Sequence, residues 1–108
     1  MDGKFLGKID LVEYGTVIDY PSFMGLILGF TMSGYEVMSG MKYTVNISPE
    51  CRWEETERQD AITKNVEFIH NILKDAKVKY VSELIGKPVE VTIEKNTFKD
   101  FRILTEVL

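Results

Sequence analysis

Apolar and polar residues alternate with period two near both ends of this chain and recur with a helical period in its middle. Lys4 to Glu13 reads as a first strand, with Ile9 and Leu11 facing one side and Lys8 and Asp10 the other. Tyr14-Gly15 predicts a turn or bulge, Thr16 to Tyr20 a continuation, and Pro21 a break in the ladder. Ser22 to Met32 is apolar nearly throughout, the pattern of a buried strand. Ser33-Gly34 is a turn signal. Met41 to Ile47 predicts a third strand, with Met41, Tyr43, Val45 and Ile47 on one face, and Ser48-Pro49 ends it.

A helix is expected next, over about Glu57 to Asp75. Thr56-Glu57-Arg58-Gln59 has the spacing of a capping box. Ile62, Val66, Ile69 and Leu73 form one stripe, widened by Ala61, Phe68, Ile72 and Ala76. So wide an apolar arc predicts a helix lying on a sheet. Val81 to Ile85 suggests a short helical turn, with Gly86 as its left-handed end and Pro88 as the stop. Val89, Val91 and Ile93 then alternate with Glu90, Thr92 and Glu94, Lys95-Asn96 suits a two-residue hairpin turn, and Thr97 to Val107 predicts the last strand. The expectation is a single α+β domain over residues 1–108. Its sheet is mainly antiparallel and curved, or a partly open barrel, in the order β-β-β-α-β-β. Seven of the eight glycines fall in the first forty residues, which favours strong curvature there.

Composition narrows the function. The formal net charge is −4, with ten lysines and three arginines, Arg52, Arg58 and Arg102. A nucleic-acid binder usually carries a basic stripe, so this balance argues against nucleic acid and for a protein or small-molecule partner. The longest apolar run, Phe23 to Phe30, is shorter than the roughly 20 residues that cross a bilayer. The opening Met1-Asp2-Gly3-Lys4 lacks the look of a secretory leader, and Cys51 is the only cysteine. These features point to the cytoplasm and away from membranes. Self-association is left open.

Candidate chemistry is sparse. His70, the only histidine, sits at the margin of the helical arc, where a packed and half-solvated ring is the ordinary role. A Cys51–His70 dyad has no supporting local signal. The Cys and His content is too low for a zinc site, and neither a calcium loop nor a phosphate-binding loop is present, so no catalytic residue, metal or cofactor is expected. Two segments suit recognition. Arg52-Trp53-Glu54-Glu55 joins the third strand to the helix and holds the only tryptophan, and Trp and Arg are frequent binding hot spots. Trp53 would equally serve as a hydrophobic staple before the cap. Tyr14, Asp19 and Tyr20 frame a turn and, with Tyr35 and Tyr43, would line a concave surface. Lys74, Lys77, Lys79 and Lys87 complement the helix C-terminus.

The C-terminal half runs Phe68-Ile69-His70-Asn71-Ile72-Leu73-Lys74, then Ala76-Lys77-Val78, then Val81 through Val91 with Leu84, Gly86-Lys87-Pro88-Val89. Over about two-thirds of the chain this resembles small phage- and prophage-encoded accessory proteins. In them a glycine-broken sheet precedes a helix ending in similar residues. The resemblance carries over no catalytic residue. It implies a bacterial host and action by binding, either occupying a host (for instance, defence) protein or sequestering a nucleotide-like ligand. A phosphorylated ligand would call on Arg52 and Arg102. A protein-blocking surface would use Glu54, Glu55, Glu57 and Asp60. The alternative is a single-strand nucleic-acid binder on an OB-like barrel, since the OB-fold also places its helix between strands three and four. The third is an enzyme of unknown type.

Overall fold

In a computed structural model that describes residues 2–49 and 54–108, the chain opens with a long antiparallel hairpin. Its strands are β1 (Gly3–Val17) and β2 (Tyr20–Met32). The turn falls at Ile18-Asp19, not at Tyr14-Gly15, because the ladder continues through both of those residues. The irregularity lies earlier. Register shifts between Ile9 and Leu11, leaving Asp10 as a bulge whose carboxylate accepts the Thr31 hydroxyl. One extra residue inverts which side chains face inward. Ile9 is buried ahead of the bulge, but Val12, not Leu11, packs on the core beyond it. Pro21 is accommodated within β2, beside a second register shift at Thr16/Val17.

Ser33-Gly34 turns β2 back into a strand that the sequence pattern was too short to reveal, β3 (Tyr35–Met38). Ser39 then clasps β2. Its N–H donates to Leu28 O at 2.8 Å and its hydroxyl accepts from Leu28 N at 2.9 Å. The expected Met41–Ile47 strand contracts to β4 (Thr44–Asn46), because Gly40 to Tyr43 form a turn. β4 pairs with β2 at Phe23 to Gly25, beside β3 rather than beyond it. Gly25 makes this approach possible: a Cβ there would lie 2.7 Å from Thr44 Cα and closer still to Tyr43 O.

The helix α1 spans Glu55–Ala76. It starts ahead of the expected capping box, and its cap, Glu54, makes no side-chain bond. Arg58 explains the earlier start. Its Nε and Nη2 donate to Ile47 O at 3.0 and 2.8 Å, and its Nη1 pairs with Glu55 at 2.9 Å, so the first turn is drawn onto the end of β4. The helix ends on Lys77 in the left-handed region, with Val78 N–H donating to Leu73 O at 3.0 Å, the Schellman arrangement.

A 3-10 turn (Val81–Leu84) leads to β5 (Pro88–Glu94) and β6 (Thr97–Ile103), joined by Lys95-Asn96 with φ of 52° and 58°, the two-residue hairpin that the sequence predicts. The final strand stops at Ile103 rather than Val107, and Thr105–Val107 is a 3-10 turn. β5 pairs with the first part of β1, and β2 with the rest, so β1 is the shared strand of a curved, open, six-stranded antiparallel sheet ordered β3-β2-β1-β5-β6, with β4 the sixth strand on β2. The α+β class expected from the sequence is the one observed.

Between sheet and helix lies one buried cluster. Leu26, Leu28 and Phe30 of β2 meet Val89, Val91 and Ile93 of β5, with Ile72 and Ala76 of α1 and Leu84. Phe30 stacks on Phe98 at 5.2 Å, and Tyr43 on Phe68 at 4.4 Å. Only part of the predicted helical stripe is inside. Ile72 is 7% exposed, but Val66 is 55% exposed. A helix of this length runs roughly 33 Å, and the apolar arc is wider than the strip of sheet beneath it.

Candidate functional site

β4 and the middle of α1 diverge to leave an open groove of about 350 Å³. Lys42, Tyr43, Thr44 and Val45 form one wall, and Ala61, Lys64, Asn65 and Phe68 the other. The helical wall follows from spacing, since positions 61, 64, 65 and 68 share one face. Ala61 is the small residue of that face. The strand wall follows from the Gly40–Tyr43 turn, which brings Lys42 to the rim.

The two walls are tied together. Asn65 Nδ2 donates to Tyr43 O at 2.7 Å, and the same carbonyl accepts from Leu26 N at 3.1 Å. The helix thereby occupies backbone acceptors near β4, with Arg58 doing the same at Ile47. The Tyr43 ring is buried against Phe68, and its hydroxyl donates to Asp100 on β6 at 3.2 Å, spanning the gap between β4 and β6. Burial, and then the negative charge of Asp100, push the Tyr43 phenol well above its ordinary range, so it stays a neutral donor. Asp100 also accepts Phe101 N–H at 2.8 Å, which covers part of the β6 edge.

The rim is cationic. Lys42 and Lys64 are exposed and form no ion pair among the described residues. Arg58, Lys99 and Arg102 are instead paired with Glu55, Glu94, and Glu90 with Glu106.

The residues singled out in the sequence do not converge. Arg52 and Trp53 lie outside the described residues. Glu54 caps α1, and Glu55 is taken up by Arg58 and Gln59. Tyr14 leans over a shallow apolar depression with Val66, Ile69 and Val81. Asp19 is at the hairpin tip, and Tyr20 is exposed with its edge toward Phe23 at 6.3 Å. Tyr35 sits at the far end of β2 from Tyr20, roughly 40 Å along the strand at ~3.3 Å per residue, and Tyr43 is in the core. The four tyrosines therefore line no common surface. Arg102 lines a separate small depression with Lys4, Glu90, Thr92, Asp100 and Phe101, and its charge is shared with carboxylates. Its guanidinium is held by Glu106 at 3.0 and 3.1 Å and by Glu90 at 3.2 Å, with both glutamates on its own side of the β5–β6 hairpin.

Lys42, Lys64 and Asn65 were not singled out. Ala61 within a bulky apolar arc was the one local hint of space, and nothing local pairs Lys42 with Lys64. No cluster of His, Cys, Asp or Glu suited to a metal ion occurs among the described residues, and no helix there is long and apolar enough to cross a membrane. No protein-family model, curated protein or solved structure matches the chain.

Proposed function

We propose that this protein is a non-enzymatic binding module that sequesters a small ligand in the β4–α1 groove, in the manner of a phage or prophage accessory protein acting in the cytoplasm of a bacterial host. The observation that carries this reading is a concave site bordered by two lysines that form no ion pair among the described residues, with Asn65 bonded to Tyr43 O at its base and apolar side chains from Val45, Ala61 and Phe68. Its volume falls at the lower end of the range for small-molecule sites, roughly 300–1,000 Å³. The direct test is to purify the protein from its host and identify released small molecules by mass spectrometry, beside an Ala61→Trp variant that fills the groove. A ligand present with the wild type and missing from the folded variant is the expected result. A ligand retained equally by both proteins refutes the groove, and co-purification of a protein alone shifts the reading to host-protein occupation.

A second reading has one observation in its favour. β1 is shared between β2 and β5, and the helix lies between the first sheet segment and the closing hairpin, the connectivity of an OB-like barrel. Submicromolar affinity for single-stranded DNA at about 150 mM salt, falling steeply as salt rises, would favour this reading.

A further inference from the structure

We infer that the β4–α1 groove selects a compact, doubly anionic ligand group of the phosphate monoester type, attached to a small apolar or aromatic body. This rests on the reading of the groove as the ligand site and names the chemistry that the site recognises.

The charge distribution supports it. Lys42 lines the groove from the turn before β4 and Lys64 from the opposite helical wall, so the two residues border one concave surface. Neither is neutralised by a carboxylate among the described residues. The acidic side chains nearest in sequence to Lys64 are Asp60 and Glu67, and neither pairs with it. Asp100, behind the groove, is already engaged by the Tyr43 hydroxyl and Phe101 N–H. Other exposed lysines also form no ion pair among the described residues, but these two line one cavity from opposite walls. Two lysines bordering one depression from opposite walls can both turn toward a dianion placed between them, which would accept a charge-assisted hydrogen bond from each. The base of the groove asks for something different. Asn65 spends a donor on Tyr43 O, and the Tyr43 hydroxyl points away to Asp100, so the surface left between the lysines is mainly that of Val45, Ala61 and Phe68. Such a base accepts a flat or aliphatic body rather than a polyhydroxylated one.

The test is an amide-resolved NMR titration of the full chain with phenyl phosphate, and separately with benzyl alcohol, which keeps the ring without the charge. The same titrations are run on a Lys42→Gln/Lys64→Gln variant whose fold is checked by circular dichroism. Phenyl phosphate is expected to shift the amides of Lys42, Thr44, Val45, Lys64 and Asn65. Benzyl alcohol should bind at least about tenfold more weakly, and the variant should lose about tenfold or more in phenyl phosphate affinity. If both probes bind the groove equally, or the variant binds phenyl phosphate as the wild type does, the inference on ligand chemistry is wrong and the groove remains a site. If phenyl phosphate and benzyl alcohol both shift amides only elsewhere, or none at all, the inference and the groove reading both fail.

Discussion

Gly25→Ala tests the packing on which the groove depends. Gly25 sits opposite Thr44, where β4 joins β2. An added Cβ would meet Thr44 Cα at 2.7 Å and the Tyr43 carbonyl group more closely still. These neighbours are backbone atoms, which no side-chain rotation can clear, so β4 must move. The movement strains two hydrogen bonds to Tyr43 O, from Leu26 N at 3.1 Å and from Asn65 Nδ2 at 2.7 Å. Each contributes about 0.5–1.5 kcal/mol net, and overpacking itself costs about 1–3 kcal/mol, which together give roughly 2–5 kcal/mol after partial relaxation. Urea unfolding monitored by circular dichroism reads this as a lower midpoint with little change in slope. The same shift displaces Tyr43 to Val45, so ligand affinity should fall even in the folded fraction. A stability loss below about 0.5 kcal/mol, with the amide resonances of Thr44 to Asn46 unmoved, would show that β4 does not approach β2 as described.

The orientation of α1 is checked by two truncations: Ile72→Ala should cost about 2–5 kcal/mol because Ile72 is buried, whereas Val66→Ala should stay within about 0.5 kcal/mol. Equal losses would mean that the helix is rotated from the position described. For Tyr43, the folded phenol holds its proton more tightly than the unfolded one, so its contribution to stability is complete below the ordinary value of 10.0 and drains away as pH rises above it. Tyr43→Phe should be about 1 kcal/mol less stable at neutral pH through loss of the Asp100 bond, yet lose less than the wild type between neutral and strongly alkaline pH. Parallel losses in the two proteins, measured by urea midpoints across that range, would remove Tyr43 as their source.

Several features that depend on neighbouring residues were legible in the sequence. The α+β class followed from the two periodicities, the buried set of β5 from its strict alternation, and the Lys95-Asn96 turn from the tolerance of Asn for positive φ. The helix was equally plain as an element, because an arc of apolar residues over five turns has no other reading. What remained hidden required a partner distant in sequence. The Asp10 bulge, which turns Leu11 away and brings Val12 onto the core, depends on the register between β1 and β2. The start of α1 was moved by Arg58 reaching Ile47 O, a contact more useful to the backbone than the local capping box. Val66 fits the helical stripe perfectly well and is still exposed, since periodicity says which residues share a face but not how much of that face a sheet will cover. That Arg102 shares its charge with Glu90 and Glu106 is set by the fold, and Lys42 and Lys64 looked unremarkable until Gly25 allowed β4 to close against β2 and meet the helix. Local chemistry chooses the elements of a chain, but a site is a set of distances between elements, and those are decided only when the whole core packs.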